Sequence, residues 1–350
     1  MLAGSEKRKI QKILKGSTIL VTGGTGSFGK TITKELLNYN PKEIRVYSRG
    51  EDKQFEMSYL YRKHKNLTYI LGDVRDKDQL FRATEGVDYV FHAAAQKQVP
   101  ASEYNTYEAV KTNIIGAQNV IDAALFHNVK KAIAISTDKA VEPVNAMGMT
   151  KALQEKLFIQ ANLHRNGKKT AFSCIRYGNV LGSTGSVLPH FLKQLSFNED
   201  LSITHSEMTR FLITLDQAVQ LVLVGLAESV GGEIFIPDIP SHTITDMAEV
   251  LIDMFQKGHR KTFISGVRVG EKIHETLISQ TDLLRTIRKN GYYIILPEIQ
   301  LKEIKKKYTL PKVKKMQAYT SGTSKKLTKQ QLQKVLEKSP AVLQHKKMYV

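Results

Sequence analysis

The chain has 350 residues, a hydrophobic fraction of 41% and a formal net charge of +19. That supplies apolar material for a large globular core but no run of about 18 apolar residues to cross a bilayer, and MLAGSEKRKIQKILKGS at the start lacks the apolar stretch of a signal peptide, so no integral membrane segment is expected. The charge sits at the ends: residues 1–16 carry +4, residues 301–350 carry +12, and residues 17–300 carry only +3. A fold that grips nucleic-acid backbones is expected to hold its charge on its body, so no nucleic-acid partner is expected; solvated tails or contact with an anionic surface fit better. A single cysteine, Cys174, excludes a disulfide framework and sets a cytoplasmic location as the expectation.

After the basic N-terminal segment 1–16, short β-branched runs alternate with helical patterns: STILVT, EIRVYS, NLTYILGD, DYVFHAAA, KAIAIST and TAFSCIRYG. Strands buried on both faces have this composition, and the alternation predicts βαβ units on a parallel sheet, an α/β doubly wound (Rossmann) domain over residues 17–180. Between the runs, residues 107–127 and 148–165 show helical spacing, the latter through Leu153, Leu157 and Phe158. From 181 to 296 the alternation loosens, which predicts a smaller, mainly substrate-binding domain with some elements returning to the first. There DQAVQLVLVGLAES (216–229) reads as a buried helix and GGEIFIP as a strand. Residues 297–350 read as a basic C-terminal arm, with an amphipathic helix opening at Thr328.

The first strand runs into ILVTGGTGSFGK, where Gly23, Gly26 and Gly29 follow a strand and open a helix. Such glycines let a pyrophosphate approach main-chain N–H groups at the positive end of a helix, so the spacing predicts a dinucleotide site rather than a merely structural turn. The second strand ends in VYSRGEDK, twenty residues after Gly29. A carboxylate there would favour NAD; Arg49, with Lys53 a turn later, suits the 2′-phosphate of NADP, unless Arg49 is only a surface partner of Glu51 and Asp52. Asp73 and Val74 close the third strand where adenine would lie, and HAAAQKQV ends the fourth with small residues. The histidines show no H-x-x-x-H or paired Cys/His spacing, so no metal site is expected, and Cys174, inside a strand, reads as buried.

Together with STDKAVEPVNAMGMTK, RYGNVLGSTGSVLPHF, MTRFLITLDQA and GVRVGEKIHETLIS, these features resemble the extended short-chain dehydrogenase/reductase superfamily. Within it they are similar to the inverting UDP-N-acetylglucosamine 4,6-dehydratases of surface-polysaccharide synthesis, over about residues 17–295. The resemblance implies that Gly23, Thr25, Gly26, Ser27, Phe28 and Gly29 wrap the NADP pyrophosphate, with Arg49 and Lys53 at the 2′-phosphate, Asp73 and Val74 at adenine, and Ala93 beside the adenosine. Lys151 would hold the nicotinamide ribose, and Val180 would approach the nicotinamide. On the substrate side it implies Lys97, Asn179, Gly185, Ser186 and Val187 near the sugar nucleotide, and Thr204, Arg210, Arg268 and Glu271 at the uridine and diphosphate of UDP-N-acetylglucosamine. Family members are homo-oligomers, often hexameric, and the same is implied here, with the arm after residue 297 as a candidate inter-subunit contact.

The implied reaction oxidises C4, removes the C5 proton, expels the C6 hydroxyl as water and returns the hydride to C6. Thr137, Asp138 and Lys139 of STDK stand where retaining dehydratases carry Thr-Asp-Glu, so Lys139 is the implied C5 base and Asp138 the acid for the departing hydroxyl. A surface ion pair is the plainer account of Asp138 and Lys139. Acting as a base requires Lys139 to lose its proton, which calls for a lowered pKa from burial or neighbouring positive charge. In NAMGMTK, Met147 occupies the place of the usual Tyr four residues before Lys151, and a thioether has no proton to exchange. Three explanations stay open: a non-catalytic NADP or sugar-nucleotide sensor; a changed C4 base, namely Lys139, Thr137 or water; or another reaction on the same scaffold, such as 4-epimerisation. One capsule-synthesis branch of the inverting dehydratases also resembles this chain in carrying Met within NAMG.

Overall fold

A computed structural model describes residues 4–349 apart from 166, 184, 256–259, 290, 300 and 310–316. The apolar runs become β1 (Thr18–Thr22), β2 (Glu43–Ser48), β3 (Leu67–Leu71), β4 (Tyr89–His92), β5 (Lys131–Thr137) and β6 (Ala171–Tyr177). There follow β7 (Asn179–Val180), β8 (Leu201–Ile203), β9 (Thr209–Ile213), β10 (Ile234–Pro237), β11 (Ser241–Thr243), β12 (Thr262–Ile264), β13 (Thr276–Ile278), β14 (Thr286–Lys289), β15 (Tyr292–Ile295) and β16 (Tyr319–Thr320). Nine of these form one sheet in the order β3-β2-β1-β4-β5-β6-β10-β15-β14. It is parallel from β3 to β10, with β15 and β14 added antiparallel. The direction of strand order reverses between β1 and β4, and in such sheets ligands lie at the carboxyl ends beside that switch point.

Strands β1, β4 and β6 are buried at every residue, because helices cover both faces of the sheet. Helix Ala146–Gln160 departs from the simple apolar-face expectation. Phe158 is buried, but Leu153 is 47% exposed, and the inward face instead carries Met147, Lys151, Gln154 and Glu155. The reason is electrostatic. Glu155 accepts from Ser136 Oγ (2.5 Å) and pairs with Arg176 (2.6 Å), which continues to Asp282 (3.2 Å). The buried charges of Glu155, Arg176 and Asp282 are therefore paired.

The second lobe holds the sheet β7-β9-β11 and the pair β8-β12 around a separate apolar cluster that includes Phe191, Leu251 and Met247. Chain from the expected substrate region also returns to the large sheet as β10, β14 and β15. The C-terminal residues are integrated rather than appended. Helix Lys329–Glu337 starts with the capping box of Thr328 and Gln331, and its Leu332 and Leu336, together with Val342, are fully buried in the second-lobe cluster. β16 pairs with β13, and Tyr319 bridges Ile239 N and O. At the other end, helix Gly4–Leu14 buries Ile10 and Leu14 in the main core. Among the described residues no helix is long and apolar enough to cross a membrane.

Candidate active site

The carboxyl ends of β1, β2, β4 and β5 open into a cavity of about 650 Å³. The glycine loop forms one end. Gly23 has φ +66°, and a Cβ there would lie 2.7 Å from Ala94 N; a Cβ on Gly29 would lie 2.5 Å from Gly23 O. Side chains are thus excluded where a pyrophosphate would meet the N-terminus of helix Ser27–Leu37, whose N-cap Gly26 contributes no side-chain hydrogen bond. Thr25 Oγ1 donates to Ser48 Oγ (3.1 Å), and Gln54 ties Ser48 O to Ile70 O, fixing the end of β2.

Arg49 and Lys53 line the cavity beyond β2, and the Arg49 side chain is 62% exposed, with Nη1 3.4 Å from Asp73 Oδ2. Burial alone would raise the Asp73 carboxyl, but hydrogen bonds and charge from Arg75, with Arg49 further out, bring it below its ordinary value. Tyr47 Oη donates to Asp73 O (2.8 Å). Val74, Ala93, Lys97, Asn179, Val180, Gly185 and Ser186 also line this cavity.

Thr137, Asp138, Lys139, Met147 and Lys151 meet at the far side. Thr137 Oγ1 donates to Asp138 Oδ1 (3.0 Å), and Lys139 Nζ lies 3.1 Å from the same oxygen. Asp138 is fully buried and its Oδ2 has no hydrogen-bond partner; burial raises its carboxyl above the usual range, an effect that Glu275 reinforces and Lys139 opposes. This is the direction an acid requires. Lys139 contradicts the expected lowering. Burial does act downward, but Asp138 and Glu275, the latter 2.9 Å from Nζ, outweigh it and hold the ammonium up. Burial likewise pushes Glu275 upward, but Lys139 and Arg210 prevail and keep it a carboxylate.

Met147 is buried and offers no proton. The glycine after it permits the close packing: a Cβ on Gly148 would lie 2.3 Å from Lys139 O. Lys151 Nζ donates to Ile135 O (2.6 Å) and Gln154 Oε1 (2.5 Å), and burial lowers its ammonium to about 8. Tyr177 reaches the cavity from β6, but burial drives its phenol well above the ordinary value, which opposes forming the phenolate that Met147 cannot supply.

Five expected substrate residues lie outside the cavity lining. Val187 opens helix Val187–Ser196, and Thr204 Oγ1 donates to Met208 Sδ. Arg210 is buried, donating from Nη1 to Thr209 O (2.8 Å) and Ile273 O (3.1 Å). Arg268 and Glu271 are 4.0 Å apart on a loop whose Gly270 O accepts from Asn145 Nδ2 (2.8 Å). Asn145 simultaneously accepts from Gly148 N, so the loop is tied to the start of the helix bearing Met147 and Lys151.

Two participants escape sequence reasoning. Glu275 comes from the second lobe, 136 positions after Lys139. Asn113, in a π-helical turn (Val110–Ile115), accepts from Gln96 N (2.8 Å) and donates to Thr150 Oγ1 (2.9 Å), bracing the helix that bears Met147 and Lys151 against the loop after β4. The only available signal was a polar residue interrupting an apolar helical pattern. Cys174 is buried, as expected, and among the described residues no group of His, Cys, Asp and Glu could hold a metal ion.

A family profile described as polysaccharide biosynthesis protein matches residues 19–297. The inverting UDP-N-acetylglucosamine 4,6-dehydratase of Campylobacter jejuni (serotype O:23/36, strain 81-176) is 51% identical over 83% of this chain and 85% of its own. A UDP-glucose 4-epimerase of Rickettsia typhi is 41% identical over 91% of this chain and 95% of its own. The X-ray structure of Pen from Bacillus thuringiensis superposes with a TM-score of 0.86 at 36% identity, covering 93% of this chain and all of that one. The chain therefore belongs to the polysaccharide biosynthesis protein family, extended short-chain dehydrogenase/reductases that include the inverting UDP-N-acetylglucosamine 4,6-dehydratases.

Proposed function

We propose that the protein is an NADP-dependent, inverting 4,6-dehydratase of UDP-N-acetylglucosamine, forming the 4-keto-6-deoxy-L-arabino sugar nucleotide for surface-polysaccharide synthesis. Support comes from one placement above all: Asp138 and Lys139, a buried acid and an amine 3.1 Å apart, face the cavity that the glycine loop opens. The 51% identity to the Campylobacter enzyme supports the same substrate and outcome, and exceeds the 41% to the epimerase.

The cradle left by Gly23, Gly26 and Gly29 suits a pyrophosphate, and the cations Arg49 and Lys53 suit a 2′-phosphate. When bound there, NADP would accept the C4 hydride and return it to C6. The residues of the chain then have three proton tasks. Thr137 already donates to Asp138, so a C4 hydroxyl that donates to Thr137 passes its proton on to Asp138. Lys139 gives its ammonium proton to solvent before this step, so that its amine takes the C5 proton while Asp138 holds the proton received from C4, which leaves with the C6 oxygen as water. A solvent-derived proton then adds to C5 on the opposite face. Met147 closes the site with an apolar wall and takes no proton.

Incubation with UDP-N-acetylglucosamine followed by mass spectrometry is expected to show loss of one water. An unchanged mass with a galacto-configured product would instead identify the epimerase alternative, and no change of either kind the sensor.

Lys151 yields a pH prediction. Its ammonium, lowered by burial to about 8, is charged at pH 7 and mostly neutral at pH 9. Calorimetric titration is expected to show weaker NADP⁺ binding at pH 9 than at pH 7, with the difference lost in Lys151→Met; equal affinity at both pH values in the parent would count against a cofactor role for this lysine.

Homo-oligomeric assembly belongs to the same proposal. Tyr104, Tyr107, Ile115, Met149 and Leu153 leave apolar surface exposed on neighbouring helices, and light scattering that returned the mass of one 39.4 kDa chain would oppose it. A cytoplasmic setting is part of the proposal too, supported by a lone cysteine that is buried and unpaired.

A further inference from the structure

We propose that Glu275 is a positioning residue for Lys139, orienting its amine and stabilising the ammonium formed when that amine takes the C5 proton. The proposal rests on the assignment of Lys139 as the C5 base. Glu275 belongs to the second lobe, just before β13, and its backbone is held on both sides: its N–H donates to Ser321 Oγ (2.9 Å), and Ser321 N donates to its carbonyl (2.8 Å). Ser321 comes from the C-terminal segment and also bonds Thr209 Oγ1 (2.7 Å), so a short network sets where this carboxylate points.

The carboxylate is costly where it stands. Its side chain is 2% exposed, Oε2 has no hydrogen-bond partner, and its cationic contacts are Lys139 Nζ at 2.9 Å and Arg210 Nε at 3.8 Å. An ion buried with so little compensation is weak as a stabilising device, and its geometry is that of a group which orients a catalytic base. An ammonium has three donors; Asp138 and Glu275 occupy two, a third is left over, and Lys139 is part of the cavity lining. In the proton-transfer step the Nζ lone pair forms a new N–H bond to the C5 proton, and the electrons of the broken C5–H bond move into the C4–C5 enolate. The positive charge appears on Nζ, 2.9 Å from Glu275.

The charged groups that act on Lys139 are Asp138 from its own turn, Glu275 from the approach to β13 and Arg210 from β9, with Lys272 beyond Glu275. The two carboxylates prevail over burial and over Arg210, so Lys139 gains basicity from them. Removing the charge of Glu275 should reverse part of that gain.

The test is Glu275→Gln, with Glu275→Asp as the charge-retaining control. Competitive acetylation of the intact protein across pH, read by peptide mass spectrometry at Lys139, is expected to show Lys139 titrating at lower pH in Glu275→Gln and nearer the parent in Glu275→Asp. With UDP-N-acetylglucosamine, kcat should fall about 10- to 100-fold, as for loss of a charge-assisted hydrogen bond, with little change in KM, and the rising limb of the pH profile should move to lower pH. A parent-like Lys139 titration and an unmoved limb in Glu275→Gln would overturn the proposal. The acetylation arm needs no turnover, so it judges the coupling separately from the dehydratase assignment.

Discussion

Lys139→Ala and Lys139→Arg are both expected to lose dehydration of UDP-N-acetylglucosamine by about 10²- to 10⁴-fold, the range for removing a positioned acid or base, while binding NADP⁺ as the parent does. The two variants fail for different reasons. Alanine removes the amine but also leaves Asp138 and Glu275 buried without their shared cation, and uncompensated buried charge destabilises by about 3–5 kcal/mol. Arginine keeps a cation between the two carboxylates yet does not give up its proton in a protein. A folded, cofactor-binding Lys139→Arg protein that is inactive thus isolates proton transfer from structure. Substantial activity in Lys139→Arg would contradict the role assigned to this amine.

The second large effect concerns stability. Leu332→Ala and Leu336→Ala each remove a fully buried side chain from the second-lobe core and are expected to cost about 2–5 kcal/mol apiece. A domain is typically stable by only about 5–15 kcal/mol, so the double variant, or truncation after Pro297, should unfold the second lobe. The large sheet has its own core and is expected to outlast it. Thermal unfolding followed by circular dichroism checks this, with loss of substrate binding as the functional readout. An unshifted melting curve for the truncated chain would restore the view of these residues as a peripheral arm.

That view shows where the sequence was deceptive. Lysine dominates residues 301–350, and although the helix opening at Thr328 reads as amphipathic, the composition of the segment does not show that its Leu332 and Leu336 pack into the second-lobe core. The helix start itself was legible, because Thr328 followed by Gln331 forms a local capping box. The parallel strands were legible for a similar reason: burial on both faces demands uninterrupted β-branched and aromatic runs. Strand β14 was not, since Thr286–Lys289 pairs at the edge and exposes polar residues there. The glycine loop and the residues at 137–139 could be read because their chemistry is contiguous along the chain. Glu275 could not, because nothing local to HETLIS distinguishes a buried partner of Lys139 from a surface glutamate. The direction of the Lys139 shift depends on the same neighbourhood: burial alone argues downward, and Asp138 and Glu275 together outweigh it.

The position of Met147 is clearer for the same network. A buried thioether beside Thr137, Asp138 and Lys139 does not disable the site if the C4 proton leaves through Thr137 to a carboxyl already raised by burial. The decisive measurement is the reaction of UDP-N-acetylglucosamine in deuterated water, with the product examined by mass spectrometry and proton NMR. The structure-based expectation is a dehydrated sugar carrying one solvent deuterium at C5 with the L configuration. A dehydrated product of D configuration at C5, or one that retains the original proton there, would contradict Lys139 as the base of an inverting dehydratase.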